Sequence, residues 1–427
     1  MSHFEYRADA LYAENLPLAQ IANEVGTPTY VYSRAALTKN FMAYADACRE
    51  HGRGDTGALV CYSVKSNSNL AVLNLLGKLG SGFDIVSGGE LLRVLAAGGD
   101  PHKVIFSGVG KSADEIELAL SHDILCFNVE SIAELHRLST IATRVGRPAR
   151  VSLRVNPDVD PKTHPYISTG LKENKFGIAF EDALDTYRIA HDLPNIEVTG
   201  IDCHIGSQLL DDAPLLEALD KVIELADQLH TAGIPLHHLD IGGGIGITYD
   251  DEKPVAVADY LARLFKRIDQ WRAEKYGGAP ISIMFEPGRS IVGNAGVLLT
   301  RVEYLKHGAS KNFAVVDAAM NDLMRPAMYE AWHGVQAVQR RHSDARRYDV
   351  VGPVCESGDW LARDRELALE PGDLLAIMSA GAYGMTMASN YNTRGRAAEV
   401  LVDGKQFSVI RRRENPQDLF ALESIVG

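Results

Sequence analysis

Between about residue 34 and residue 289 the chain repeats one rhythm. A short run of β-branched and aromatic residues gives way to a polar break, then to an amphipathic stretch. The runs are "ALVCYSV", "GFDIVS", "KVIFSG", "ILCFNV", "RVSLRVN", "VTGIDCHI", "LHHLDIG" and "ISIMFEP". Helical patterns such as "NLAVLNLLGKL", "GELLRVLAAG", "SADEIELALS", "SIAELHRLSTIATRVG" and "LLEALDKVIELADQLHTAG" lie between them, and "RAALTKNFMAYADACREHG" precedes the first. Eight strands alternating with helices over about 250 residues fit a (β/α)8 barrel. A doubly wound open sheet is the competing reading. The polar residues favour the barrel. Lys65, Asp84, Ser107, Asn128, Asn156, His204, Gly242 and Glu286 all stand at or just past the C-terminal end of a run. Barrel enzymes carry their chemistry there, whereas an open sheet would concentrate it near one switch point.

After Arg289 the texture changes. "GVLLTRVEYLKHG", "NFAVVDAAM", "RRYDVVGPVC", "DLLAIMSAGAYG" and "AAEVLVDGKQFSVIRRRE" read as strands with few helices between them, and "TPTYVYS" near the start reads the same way. The expected fold is therefore α/β: a (β/α)8 TIM-like barrel over 34–289, with a second, C-terminal β-rich domain built from 1–33 plus 290–427.

Composition narrows the partners. The chain has 427 residues, 46% of them apolar, enough for two domains with ample core. Lys+Arg 43 against Asp+Glu 56 gives a net charge of −13. That balance disfavours nucleic acid and anionic membrane as main partners. The first residues lack a basic start followed by an apolar block, so no signal peptide is read, and no apolar run is long enough to span a bilayer. Cys48, Cys61, Cys126, Cys203 and Cys355 are odd in number and widely spaced, without CxxC. This fits a reducing cytoplasm better than a disulfide framework or a zinc site.

Four features carry candidate chemistry. Lys65 ends an apolar run, where a desolvated amine can condense with an aldehyde; the plainer reading is a solvated strand-end lysine. "LDIGGGIGI" places Gly242, Gly243, Gly244 and Gly246 after the seventh run, where backbone N–H groups can ring an anion; the plainer reading is a tight turn. "FEPGR" closes the eighth. Glu286 there needs a cationic partner, such as a protonated pyridine nitrogen, and Arg289 suits a carboxylate or phosphate. Alternatively, Glu286 and Arg289 pair with each other. "DCHIGSQ" closes the sixth: His204 is open to roles as a zinc ligand, a base, a ring-stacking surface or a core histidine, and Gly206 and Ser207 are further phosphate donors. Amine, glycines, carboxylate and flat ring together are the requirements of pyridoxal 5′-phosphate.

"YSVKSN", "GFDIVSGGEL", "NPDVDPKTHPYISTGLKENKFGI", "CHIGSQ", "DIGGGIGI", "EPGR" and "GPVCESGD" stand in order along nearly the whole chain. In these motifs the chain resembles the pyridoxal-phosphate family with the alanine racemase and ornithine decarboxylase fold, in its diaminopimelate branch. The resemblance implies decarboxylation of meso-2,6-diaminopimelate to L-lysine and CO2, the last step of lysine biosynthesis, by a cytoplasmic homodimer with shared active sites. It makes Lys65 the lysine that bonds the cofactor, stacks His204 on the ring and sets Glu286 at the ring nitrogen. Asp84, Ser207, Gly242, Gly243, Gly244, Pro287, Gly288, Arg289 and Tyr383 would contact the cofactor. Arg289, Arg325, Tyr329, Glu356 and Tyr383 would bind substrate. Cys355 would be the proton donor, reaching with Glu356 into the partner's site. A neutral thiol is needed to donate.

Rival readings are a decarboxylase of the same fold acting on ornithine, arginine or a polyamine precursor, a racemase, and a non-catalytic homologue. The resemblance implies an arginine near the ring nitrogen in racemases, so Glu286 favours decarboxylation. A substrate with a distal carboxylate suits Arg289 and Arg325. Buried groups left unpaired by a simple diamine precursor discriminate by roughly 10⁴-fold. Residues 156–178 read as either an ordered wall or a closing lid.

Overall fold

The computed structural model describes residues 3–51, 57–160, 175–274 and 280–426, so most of the 156–178 segment lies outside the described residues. The chain divides into two units. One comprises Asn40–Ile247 and Lys253–Ser290, the other Met1–Lys39, Thr248–Glu252 and Ile291–Gly427.

The first unit is a closed barrel of eight parallel strands. They are β1 (Ala58–Ser63), β2 (Gly82–Ile85), β3 (Val104–Phe106), β4 (Cys126–Val129), β5 (Ala149–Asn156), β6 (Ile196–Asp202), β7 (His238–Asp240) and β8 (Ser282–Phe285). Each pairs with the next, and β8 pairs with β1 to close the ring. All eight expected runs form these strands. Helices Leu70–Lys78, Gly88–Ala96, Ala113–Ser121, Ile132–Val145 and Ala213–Thr231 match the expected helical stretches, and Phe180–Asp192 and Val257–Glu274 complete the set after β5 and β7. Their starts follow capping chemistry. Ser87, Ser112 and Ser131 each accept the N–H of a glutamate three residues on, and Ser112 and Glu115 form a full capping box.

Alternate residues of each strand point into the barrel. The lower layer holds Cys61, Ile105, Cys126 and Met284. Gly200 is obligatory here: a Cβ would lie 2.1 Å from the His238 ring, which occupies that space. Toward the C-terminal ends of the strands the interior turns polar. Ser63, Asp84, Asn128, Arg154, Asp202 and Asp240 stand there, all nine-tenths or more buried.

The second unit is built on the long strand Gly296–His307. It pairs antiparallel with Asn312–Val316, Leu374–Ile377 and Thr29–Ser33. Thr29–Ser33, from near the start of the chain, pairs in parallel with Ala398–Asp403. The stretch "AAEVLVDGKQFSVIRRRE" is a hairpin: Ala398–Asp403 returns as Gln406–Arg411, with Gly404 at φ 65° in the turn. Leu11, Leu18, Ile21, Val297, Leu299 and Val400 lie in its apolar core.

Candidate active site

β1 ends at Ser63, and the chain turns at once into a single 3-10 turn, Val64–Ser66. This sets Lys65 just beyond the strand. Its Nζ lies 3.1 Å from Oδ2 of Asp84 on β2, and the same oxygen accepts from Ser63 Oγ at 2.8 Å. The lysine side chain is 37% exposed and that of Asp84 fully buried, so the amine faces an opening with the carboxylate beneath it. A buried carboxylate is costly without a cation, and Lys65 is that cation.

Glu286 follows β8 and is buried. Its Oε1 accepts from Ser107 Oγ at 3.4 Å and from Asn128 Nδ2 at 3.3 Å. Ser152 Oγ donates to Asn128 Oδ1 at 2.8 Å, which turns the amide NH2 toward Glu286. Asp202 and Asp240, at the ends of β6 and β7, face the same interior. One carboxylate oxygen from each of Asp202, Asp240 and Glu286 lies within 4.8 Å of the other two. Burial, with the neighbouring carboxylates, pushes Glu286 and Asp202 well above the usual carboxylate range. Burial lifts Asp240 to about 7, with Asp84 adding to the rise.

His204 follows β6. Its Nδ1 accepts the Gly243 N–H at 3.2 Å, which leaves the ring proton on Nε2. Burial, then the charges of Arg154 and Lys65, lowers its proton affinity well below the ordinary value. The ring is therefore neutral and flat near pH 7. The glycine loop is tightly built. Gly242 (φ 68°) and Gly244 (φ 123°) adopt conformations closed to most side chains, and a Cβ on Gly243 would lie 2.3 Å from the Glu286 carbonyl oxygen. The expected ring of free N–H groups is smaller than the glycine count suggests. Gly242 N–H donates to Asp240 Oδ1, Gly243 to His204 and Gly246 to the Leu209 carbonyl. Gly244 is the loop glycine whose N–H has no such bond among the described residues. Arg289 is buried and donates through Nε and Nη2 to Ser207 Oγ at 3.2 and 3.1 Å. Pro287 and Gly288 are packed so closely beside it that a Cβ on Gly288 would touch Ser66 at 3.0 Å.

The remaining expected residues belong to the β-rich unit. Arg325 opens the short helix Arg325–Tyr329 and is buried. Its Nη1 donates to His333 Nε2 at 3.1 Å, and its guanidinium lies 4.8 Å from the Tyr249 ring centre. Tyr329 is half-buried. Cys355 and Glu356 are exposed, on the loop between Arg346–Val351 and Trp360–Leu367. That loop is pinned from inside: Asp359 accepts the N–H groups of Met320 and Val354 at 2.6 and 2.7 Å. Asn392 accepts the Cys355 N–H at 2.8 Å. Tyr383 holds φ 55°, a conformation costly for a tyrosine and typical of functional sites.

Residues 39–293 match the family described as "Pyridoxal-dependent decarboxylase, pyridoxal binding domain". Over 426 residues, and 100% of both chains, the sequence is 58% identical to the diaminopimelate decarboxylase of Pseudomonas aeruginosa. The chain belongs to the diaminopimelate decarboxylase family. Among solved relatives, the Helicobacter pylori diaminopimelate decarboxylase complexed with L-lysine is 44% identical, with TM-score 0.89 over 95% of this chain and 99% of that one. The M. jannaschii diaminopimelate decarboxylase in co-complex with L-lysine is 37% identical, with TM-score 0.94 over 100% of this chain and 99% of that one.

The cofactor of this decarboxylase family is pyridoxal phosphate, and the barrel residues fit it. An amine stands at the mouth, a carboxylate with raised proton affinity suits a basic ring nitrogen, and Gly243 and Gly244 leave no room for side chains. Two acidic residues of this site, Asp202 and Asp240, escaped the sequence-based list, and Ser107 and Asn128 stood in it only as strand-end polar residues, not as Glu286 donors. The signal existed. Asp202 stands two residues before His204 and Asp240 two before Gly242, which puts each on the same strand face.

Proposed function

We propose that this protein decarboxylates meso-2,6-diaminopimelate to L-lysine and CO2. The reading is carried by Lys65, Asp84, His204 and Glu286 standing at adjoining strand ends of one barrel, in a chain related end to end to diaminopimelate decarboxylases. Bound pyridoxal phosphate supplies an aldehyde for amines and a ring that takes up the electrons released when CO2 leaves. Lys65 Nζ would hold the cofactor by its aldehyde. Glu286 would stand at the ring nitrogen and keep it protonated, and neutral His204 would offer the ring a flat face. Ser207, Gly244 and Arg289 hold the phosphate side. Arg289, Arg325, Tyr329 and Tyr383 bind substrate; the guanidinium groups take the distal carboxylate and Glu356 the distal ammonium. Cys355 holds at Sγ the proton that replaces the lost carboxylate. The enzyme works in the cytoplasm as a homodimer in which Cys355 and Glu356 serve the partner's site. Their exposure on their own chain supports this arrangement.

CO2 release measured across candidate amino acids tests the reading. Turnover with meso-diaminopimelate and none with ornithine, arginine or lysine is expected; preference for one of those three overturns it. Lys65→Ala is expected to lose the visible absorbance of the lysine-bound cofactor, and an unchanged spectrum would show that another amine holds it.

A further inference from the structure

The barrel mouth contains more acid than its cations neutralise. Lys65 pairs with Asp84, and Arg154 pairs with Glu130 at 3.1 Å. Asp202, Asp240 and Glu286 are left with no ion pair among the described residues. All three are at least 95% buried. Carboxylate oxygens of the three, one from each, lie within 4.8 Å of one another, and like charges so close in a dry interior cannot all be ionised, so the cluster retains protons. A separate observation points the same way. Among the described residues, Asp240 Oδ2 and Asp202 Oδ1 are fully buried with no hydrogen-bond partner, a costly state for an ionised oxygen and a lesser one for a protonated carboxyl. The nearby thiols, Cys61, Cys126 and Cys203, are pushed up by burial and contribute no charge. His238 is lowered to about 3 by burial and is neutral too.

We propose that Asp202 and Asp240 are positioning residues that share protons with Glu286 and so fix the proton on a ring nitrogen held at that carboxylate. The proposal rests on the cofactor reading given above. The proton moves from the carboxyl cluster to the ring nitrogen: one O–H bond breaks, one N–H bond forms, and no electrons change hands. The carboxylates behind Glu286 then act at a distance. Their residual negative charge, in a dry interior, raises the proton affinity of any base at Glu286. Asparagine at position 240 or 202 keeps the shape and removes the charge.

The test uses holoenzyme reconstituted with cofactor labelled with 15N in the ring. Its nitrogen shift is followed against pH in wild type, Asp240→Asn and Asp202→Asn. Wild type is expected to keep the ring proton at least one pH unit further into alkali than either variant. Identical titrations overturn the proposal. Should the variants fail to fold, the infrared spectrum of wild-type apoprotein at neutral pH decides: a protonated-carboxyl C=O band supports the proposal, and its absence overturns it. A divalent ion bound stoichiometrically at the cluster in purified protein also overturns it. Failure of wild type to take up cofactor would instead strike the functional reading, and the infrared result would still stand.

Discussion

A buried imidazole decides where Arg325 points. His333 is fully buried, and its Nδ1 lies 2.8 Å from the Met378 carbonyl oxygen, which can only accept. The ring proton is therefore on Nδ1, and Nε2 is left as the acceptor for Arg325 Nη1. Tyr249 braces both groups, edge to face with His333 at 5.3 Å and beneath the guanidinium. With Arg325 as a substrate ligand, His333→Ala should raise KM for diaminopimelate more than it lowers kcat. A hydrogen bond to a charged group is worth about 1.5–3 kcal/mol, so a rise on the order of tenfold to a hundredfold is expected. His333→Gln, which keeps an acceptor, should recover part of it. Steady-state kinetics check the split, and an unchanged KM in His333→Ala would remove the positioning role.

At the scale of elements, the loop after β7 is held by contacts that leave no space for a methyl group. Gly243→Ala would drive its Cβ against the Glu286 backbone, so the loop or the β8 end must shift. We expect a lower Tm, by several degrees, together with weaker cofactor binding; thermal unfolding with and without cofactor measures both. The elements themselves were largely legible in the sequence. Parallel barrel strands are buried on both faces, so β1 to β8 read as continuous apolar runs. Lys65 and Glu286 were legible because each interrupts such a run at its end. Less was legible where the determinant is tertiary. Asp202 and Asp240 look like ordinary strand-end polar residues until strand pairing sets β6, β7 and β8 side by side. The strand Trp360–Leu367 carries four charges in eight residues and lies at the sheet edge, so no apolar run announced it. Tyr249 and Arg325 are 76 positions apart, and nothing local links them.

For the whole molecule, the acidic barrel centre makes a pH statement. An acid with higher proton affinity in the folded state stabilises the fold at low pH and loses that contribution as pH rises through its folded pKa. Asp240, about 7 against an ordinary 3.8, follows this sign. Apoprotein should therefore lose stability relative to Asp240→Asn between about pH 4 and 7, and parallel denaturation curves across that window would contradict it. Assembly makes the other statement. In the proposed homodimer, Lys65 of one chain serves the same site as Cys355 of its partner. Lys65→Ala and Cys355→Ala are each expected to be inactive alone. Subunit exchange between them forms mixed dimers in which one site carries both defects and the other neither. With random reassortment half the dimers are mixed, and each has one intact site, so about a quarter of wild-type activity should return. Recovery should track the exchanged fraction, measured by mass spectrometry of differently tagged chains. Exchange without recovery would place Cys355 in the site of its own chain or outside the chemistry altogether.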